Sequence, residues 1–374
     1  MSNKLSFWKI ILLGPLSFLY GIVIRIRNFC YENKIWLYKE YSIPIISIGN
    51  ISVGGTGKTP HTEYILKMLK EEFSVAVLSR GYKRKSKGFR IVETTCTALE
   101  AGDEPLQIKL KFPDAIVAVD GNRRRGIERL LDMYPELNLI ILDDAFQHRK
   151  VKPGLSILLN NYHYPISSDY LLPLGRLRES KHSSIRAHII FVTKCPENIK
   201  PIEKRIIHKE IDVLPFQYLF FSLIKYKEIL PVFPEEENLT DVNNENLKNF
   251  NVLTFTGIAI TKGFTEYLEP KCKSFSHLKF SDHRNFTKKD IELISDHFAA
   301  TSEPGILITT EKDMVRFKNN DIFPEELKKY LYYLPIEVLL LLSEDEKKQF
   351  DNQIFSYVRN NKRYSKLYKN AYQE

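Results

Sequence analysis

From residue 44 to about residue 215, short apolar runs alternate with longer amphipathic stretches. The runs PIISIG (44–49), VAVLS (75–79), AIVAV (115–119), LIILDD (139–144), LSILL (155–159) and HIIFVTK (188–194) are almost unbroken in hydrophobicity, as strands buried on both faces are. Between them, stretches such as 59–71 and 122–134 carry helical patterning. This alternation predicts a mainly parallel sheet with right-handed helical crossovers, an α/β/α sandwich. A Pro/Ser/Arg-rich loop at 161–185 interrupts it. After an acidic, Asn-rich linker at 234–250, a smaller α/β unit follows. There the pattern predicts a strand and turn at 251–259, a helix from Lys262, and a strand at 274–280. A helix at 287–300 comes next, capped by Thr287 with Asp290 in its first turn, then strands at 305–310 and 333–342.

The N-terminus breaks this rhythm. IILLGPLSFLYGIVI (10–24) is fifteen residues without a charge. As helix it would span about 22 Å, short of the roughly 30 Å of a bilayer core. Gly14-Pro15 within it predicts a kink or break. No small-residue cleavage site follows; Arg25, Ile26 and Arg27 do. Residues 1–40 hold six Lys/Arg against two acids, which favours a segment lying at the interface on anionic lipid over a buried helical hairpin. No other stretch approaches a spanning length. The expected organisation is a membrane-associated segment (1–40), a core domain (41–215), a smaller domain (216–343) and a charged helical tail (344–374).

Composition narrows the class only slightly. With 374 residues, 43% of them hydrophobic, the chain is long enough for two or three domains with large cores. Its four cysteines are scattered, with no CxxC pair and no zinc spacing, so neither a disulfide framework nor structural zinc is expected. The net charge of +9 favours an anionic partner. The basic residues are dispersed and match no recognition motif, so nucleic acid is not expected.

Chemistry enters at GNISVGGTGKTP (49–60), directly after a strand and directly before a helix. Backbone amides of Ser52, Val53, Gly54, Gly55, Thr56 and Gly57 would surround phosphate oxygens, with the helix N-terminus adding its partial positive charge. Lys58 would reach the β- and γ-phosphates and Thr59 would offer its hydroxyl to Mg²⁺. The pattern departs from G-x4-G-K-[ST] in one place, Ser52. In LIILDDAFQHR (139–149) an apolar strand runs into Asp143 and Asp144 at the carboxyl edge of a sheet, where a carboxylate can hold Mg²⁺. If both are still in strand conformation they face opposite ways. Asp144 and His148 stand at helical spacing for a metal, but no third ligand is evident and zinc is not expected.

GDEP (102–105), RRRG (123–126), LGRLRE (174–179), SDHRNF (281–286) and TTEKD (309–313) are polar clusters of the kind that also form turns and caps. Asp103 would equally cap a helix beginning near Glu104-Pro105, and Asp282 would form an Asx-turn. Next to a phosphate loop they acquire another meaning. Phosphoryl transfer needs a base for the acceptor hydroxyl and cations for the moving group. A membrane-bound switch ATPase would carry a further lysine before the glycine pair, where this chain has Val53. A soluble small-molecule kinase would not need the N-terminal segment.

Over roughly residues 10–340 the chain resembles the tetraacyldisaccharide 4′-kinases, on GNISVGGTGKTP, SRGY (79–82), GDEP, LDDAFQHR, LLPLGRLRE, TGIA (256–259), FSDHRNF and TTEKD in that order. The resemblance implies a P-loop domain, a smaller α/β/α domain and an N-terminal membrane helix. It implies transfer of the γ-phosphoryl of ATP, with Mg²⁺, to the 4′-hydroxyl of a tetraacylated glucosamine disaccharide 1-phosphate. The product is lipid IVA, made at the cytoplasmic face of the inner membrane of a Gram-negative bacterium, with no obligate protein partner. By position, Lys58 and Thr59 match the phosphate and Mg²⁺ ligands and Asp143 and Asp144 the acidic pair. Asp103 matches the proposed base, His283 the histidine that orients it, and Arg178 a phosphate-binding arginine. Glu104, Gln147 and Glu179 match supporting members, and one of Arg123, Arg124 and Arg125 another basic residue. Arg284 stands where the family often has a second histidine.

Overall fold

The computed structural model describes residues 7–236, 239, 242–320 and 322–361. Its strands in chain order are β1 (Ile45–Gly49), β2 (Val75–Ser79), β3 (Arg90–Ile91), β4 (Ile116–Val119), β5 (Leu139–Asp143), β6 (Leu155–Asn161) and β7 (Ile189–Thr193). Then come β8 (Tyr218–Tyr226), β9 (Leu230–Pro231), β10 (Asn251–Thr256), β11 (Ser274–Lys279), β12 (Gly305–Thr310), β13 (Leu331–Leu334) and β14 (Ile336–Leu340). Among the described residues these form a nine-stranded sheet, β14-β8-β7-β6-β1-β5-β2-β4-β3, and a five-stranded sheet, β11-β10-β12-β13-β9. Only the edge strands β14, β3 and β9 pair antiparallel.

Alternate residues of the central strands feed two apolar layers, as the two-residue period of a strand requires. Ile46, Ile48, Val77 and Ile141 pack on Ile65, Leu66 and Leu69 of the helix Lys58–Leu69. Ile45, Ala76, Leu78 and Ile140 pack on Ile127 and Leu130 of the helix Arg123–Met133. The chain is therefore α/β, with the sheet covered on both faces and the carboxyl ends of β1, β2, β5 and β7 left at one rim. The predicted cap is present: the Thr287 side chain accepts from Asp290 N at the start of the helix Lys288–Ala299.

Two expectations about the smaller unit change. The apolar run 333–342 is not one strand. Pro335, which has no N–H to give a ladder, separates β13 of the small sheet from β14 of the large one. A division at residues 216 and 343 would also cut β8 and β14 from the sheet they complete. The small sheet is an insertion between those two strands, and its two connections meet where Lys227 N donates to Pro335 O (2.9 Å). The helix Glu344–Arg359 is more than a charged tail. Phe350, Ile354 and Val358 are fully buried, and Tyr357 Oη bonds both Ile45 N (2.9 Å) and Ile45 O (3.1 Å).

At the N-terminus, Pro15 does not break the chain into two segments: one helix runs from Phe7 to Glu32. Its 26 residues span about 39 Å, because residues 7–9 and 25–32 extend the apolar run at both ends. Among the described residues it is the one helix long and apolar enough to cross a membrane by length and composition. One stripe is fastened to the protein. Ser17 Oγ donates to Leu171 O (2.8 Å), Tyr20 Oη to Arg178 O (2.9 Å), and Arg27 to Gln147 O and Glu179 (3.4 Å). The remaining faces leave Trp8, Leu12, Phe18, Leu19, Val23 and Phe29 exposed.

Candidate active site at the carboxyl rim of the large sheet

β1 delivers the chain to the phosphate loop and the helix Lys58–Leu69 takes it away. Gly54 (φ +104°) and Gly57 (φ +86°) occupy backbone conformations that a side chain would strain. Beneath the loop, Asn50 Nδ2 donates to Thr56 Oγ1 (2.8 Å), Thr193 Oγ1 to Thr56 O (2.9 Å) and Asn161 Nδ2 to Gly55 O (3.4 Å). His61 closes the scaffold. Burial lowers its pKa to about 4, so it is neutral; its Nδ1–H donates to Gly57 O (2.7 Å) and Nε2 accepts from Ser222 Oγ (2.9 Å). From the side, the LGRLRE segment adds a short antiparallel contact: Val53 N donates to Arg176 O (2.8 Å) and Arg178 N to Ile51 O (2.7 Å). Ser52 is buried in that contact, so the position where glycine is usual serves the pairing with Leu177.

The two aspartates do not alternate along a strand. β5 ends at Asp143, and Asp144 turns out of it with a left-handed backbone (φ +46°). Asp143 is fully buried; its carboxylate accepts from Thr62 Oγ1 (2.9 Å) and Ser79 Oγ (3.2 Å). Burial, and then the negative charges of Glu104 and Asp144, push it up to about 6. Asp144 lies 3.6 Å from Lys58 Nζ and 3.9 Å from Arg178 Nη1, and Arg178 also donates to Gln147 Oε1 (3.3 Å). Lys58, Asp144, Arg178 and Gln147 thus form one contiguous group beside the loop. Residues 144–149 are a turn, so Asp144 and His148 are not at helical spacing, and no metal-holding cluster of three His, Cys, Asp or Glu occurs among the described residues.

The arginine triplet braces the site. Buried Arg123 donates to Asp120 O (2.6 Å) and Asp143 O (3.2 Å), tying the ends of β4 and β5 together. Arg124 donates to Lys150 O (2.9 Å) and Leu37 O (2.6 Å), and Arg125 grips both oxygens of Asp120 (2.8 Å each). Glu179 is a brace as well. Fully buried, it sits between Arg27 and Arg186 and anchors the N-terminal helix.

The other polar clusters converge from both sheets. Gly102 (φ +92°) is packed so tightly on the SRGY turn that a Cβ there would lie 3.1 Å from Gly81 Cα. Asp103 follows as the first residue of the helix Asp103–Lys111. Its Oδ2 accepts from His283 Nδ1 (3.2 Å) and from Arg316 Nη2 (2.6 Å) and Nε (3.2 Å). Lys312 Nζ meets His283 Nε2 (3.2 Å) and Glu104 Oε1 (3.2 Å). An ammonium can only donate, so Nε2 accepts and the imidazole proton sits on Nδ1, facing Asp103. Tyr82 stands edge-on to His283 with centroids 5.2 Å apart, and Lys83 Nζ donates to His283 O (3.3 Å). Asp313 orders the far side by binding Arg316 Nη1 (2.5 Å), Gly257 N (2.9 Å) and Thr310 Oγ1 (2.7 Å). TGIA, SDHRNF and TTEKD are therefore parts of one network facing GDEP. Arg284 takes no part in it and pairs with Asp290 (2.8 Å).

Burial alone would raise Asp103, yet the bonds from His283 and Arg316 and the charge of Arg316 hold it well below the usual carboxylate range. Glu104 is likewise lowered against burial, by Lys312 and then Lys58, which ties this network electrostatically to the phosphate loop. Arg316 is the residue that sequence reasoning missed. Its only signal was a position three after Asp313, the spacing of an ion pair within one helical turn.

A glycine-turned phosphate loop, acidic residues at the end of the neighbouring strand and a carboxylate–imidazole pair at its mouth define a P-loop phosphotransferase. The chain belongs to the tetraacyldisaccharide-1-P 4′-kinase family, whose model matches residues 9–357. It is 45% identical over 360 residues to the tetraacyldisaccharide 4′-kinase of Bacteroides thetaiotaomicron, covering 94% of each chain. It is 39% identical to that of Porphyromonas gingivalis W83, covering 94% of this chain and 98% of the other. Among solved structures it matches LpxK from Aquifex aeolicus in complex with ATP, with a TM-score of 0.70 and 30% identity over 93% of this chain and 100% of that one.

Proposed function

We propose that this chain transfers the γ-phosphoryl group of ATP to the 4′-hydroxyl of a tetraacylated glucosamine disaccharide 1-phosphate, giving lipid IVA. The nucleotide is supported by the phosphate loop and by the ATP-bound Aquifex relative. The acceptor is supported by the name its relatives carry. The sugar oxygen attacks the γ-phosphorus, the bond to the bridging β–γ oxygen breaks, and ADP leaves. Asp103 receives the hydroxyl proton, and His283 holds the carboxylate in place through Nδ1–H. Lys58 and Arg178 present cations to the transferring group, with Gln147 steadying Arg178.

The hydroxyl of Thr59 and the carboxylates of Asp143 and Asp144 offer hard oxygen donors. They suit Mg²⁺, which takes one or two protein carboxylates and fills its shell with water and phosphate oxygens. These three residues would hold the ion, which neutralises charge developing on the phosphates. The exposed apolar faces of Phe7–Glu32 support an association with the membrane surface, and the reading puts the enzyme on the cytoplasmic side of a Gram-negative inner membrane, where acyl chains stay in lipid while the sugar reaches the rim.

The observation that carries the reading is the meeting of Asp103, from the large unit, and His283, from the inserted unit. The test is transfer of radiolabelled phosphate from ATP to the disaccharide lipid in mixed micelles. Lys58→Ala should abolish transfer, and Asp103→Ala should lower turnover more than ATP affinity. Unlabelled lipid with wild-type protein would refute the assignment.

A further inference from the structure

At the end of β7 the chain turns sharply: Lys194 takes a left-handed backbone (φ +60°), a conformation that costs free energy in a residue with a side chain. The turn sends the lysine arm back toward the phosphate loop. A Cβ built on Gly55 would lie 3.6 Å from Lys194 Nζ. The preceding residue, Thr193, is the one that donates to Thr56 O, so the β7 terminus is fastened to the loop one residue before Lys194.

The ammonium has no hydrogen-bond or ion-pair partner among the described residues, although the side chain is half-buried and burial lowers its pKa. Four cations of the site are engaged: Lys58 and Arg178 with Asp144, Lys312 with Glu104, and Arg316 with Asp103. A cation partly withdrawn from water and left unpaired is a cost that a bound anion removes. β7 and β5 lie on opposite sides of β1 in the sheet order. A nucleotide whose γ-phosphate faces Lys58 and Asp144 therefore lays its nucleoside end toward Lys194.

We propose that Lys194 is a nucleotide-binding residue that grips the α-phosphate and ribose end of ATP across Gly55, setting ATP affinity without taking part in transfer. The inference rests on the kinase reading above. The test compares Lys194→Met, which keeps the apolar stem, and Lys194→Arg, which keeps the charge, with wild type. Three readouts are taken: fluorescent ATP-analogue binding, steady-state kinetics, and melting with and without ATP. For Lys194→Met the expected result is a rise of roughly tenfold or more in both Kd and KM for ATP with kcat within about threefold. Its ligand-free melting temperature should be unchanged or higher, and the shift on adding ATP smaller. Lys194→Arg should recover part of the affinity. Unchanged Kd and KM in Lys194→Met, or a lower ligand-free melting temperature with Kd unchanged, would overturn the proposal and leave Lys194 a structural prop. Failure of the kinase reading would look different: wild-type protein would bind ATP and leave the disaccharide lipid unlabelled.

Discussion

The guanidinium of Arg316 lies 2.6 Å from Asp103 Oδ2, joining residues 213 positions apart in sequence, one from the large unit and one from the inserted unit. The contact keeps Asp103 ionised but makes it a weak base, because a carboxylate held far below its usual range has little affinity for a proton. His283 and Lys312 lie on the same side, so the base is tuned from the inserted unit and depends on that unit being seated. Removing Arg316 should relax this. Arg316→Met is expected to move the acid limb of the kcat–pH profile upward by about one to two pH units. Steady-state rates taken into the acid range, from about pH 3 to 7, check it, and an unmoved limb would mean that Arg316 does not set the basicity of Asp103.

Asp103 and the phosphate loop carry separable tasks. Asp103→Asn keeps the shape of the side chain and one accepting oxygen while removing its charge. It should lower kcat by about 10²–10⁴-fold with ATP affinity within a few-fold of wild type. Calorimetry alongside kinetics makes the comparison, and a parallel loss of ATP binding would place Asp103 in the nucleotide pocket instead.

Arg27 and the exposed stripe of its helix should also separate. Leu19→Glu with Val23→Glu charges the apolar face and should abolish vesicle binding, while Arg27→Met leaves that face intact. Arg27→Met frees the helix from Gln147 O and Glu179, so it should bind vesicles normally and lose at least about tenfold in turnover of the lipid substrate. Co-sedimentation and micellar kinetics together decide this. Loss of vesicle binding in Arg27→Met would contradict the division.

Glu63 predicts a pH dependence of stability away from the reacting groups. Burial and then the neighbouring Glu311 raise it to about 7, although Lys111 (2.7 Å) and Gln107 (2.8 Å) donate to it. A carboxyl group raised on folding contributes stability below its ordinary value near 4.5, and that contribution is lost as pH rises through about 7. Wild-type melting temperature should therefore fall between about pH 4.5 and 7 relative to Glu63→Gln, which should be a few degrees more stable at pH 8. Thermal melts across that range test it, and parallel curves would refute it.

How much of this was readable in the sequence follows from how local each feature is. The phosphate loop, its flanking strand and helix, and the Thr287 cap depend on residues a few positions apart, and their patterns were legible. Asp103 and His283 were legible as family positions, but their meeting is not a local property. The role of Arg316 depends on a fold that brings residue 103 to residue 316, which no short window contains. The run 333–342 misled because hydrophobicity is continuous across Pro335 while sheet membership changes there. The triple arginine drew attention by its charge, and only packing revealed Arg123 as a buried brace. Gly14-Pro15 overstated the break, since a single proline removes one backbone bond and the turns around it hold.

The most direct measurement of the central claim is mass spectrometry of the lipid after purified protein is incubated with Mg²⁺-ATP and a defined tetraacylated disaccharide 1-phosphate. The account predicts one added phosphoryl group, located by fragmentation on the 4′-oxygen and absent with Asp103→Asn over the same interval. ATP turned over to ADP with the lipid mass unchanged, or a phosphoryl group on any other oxygen, would contradict it.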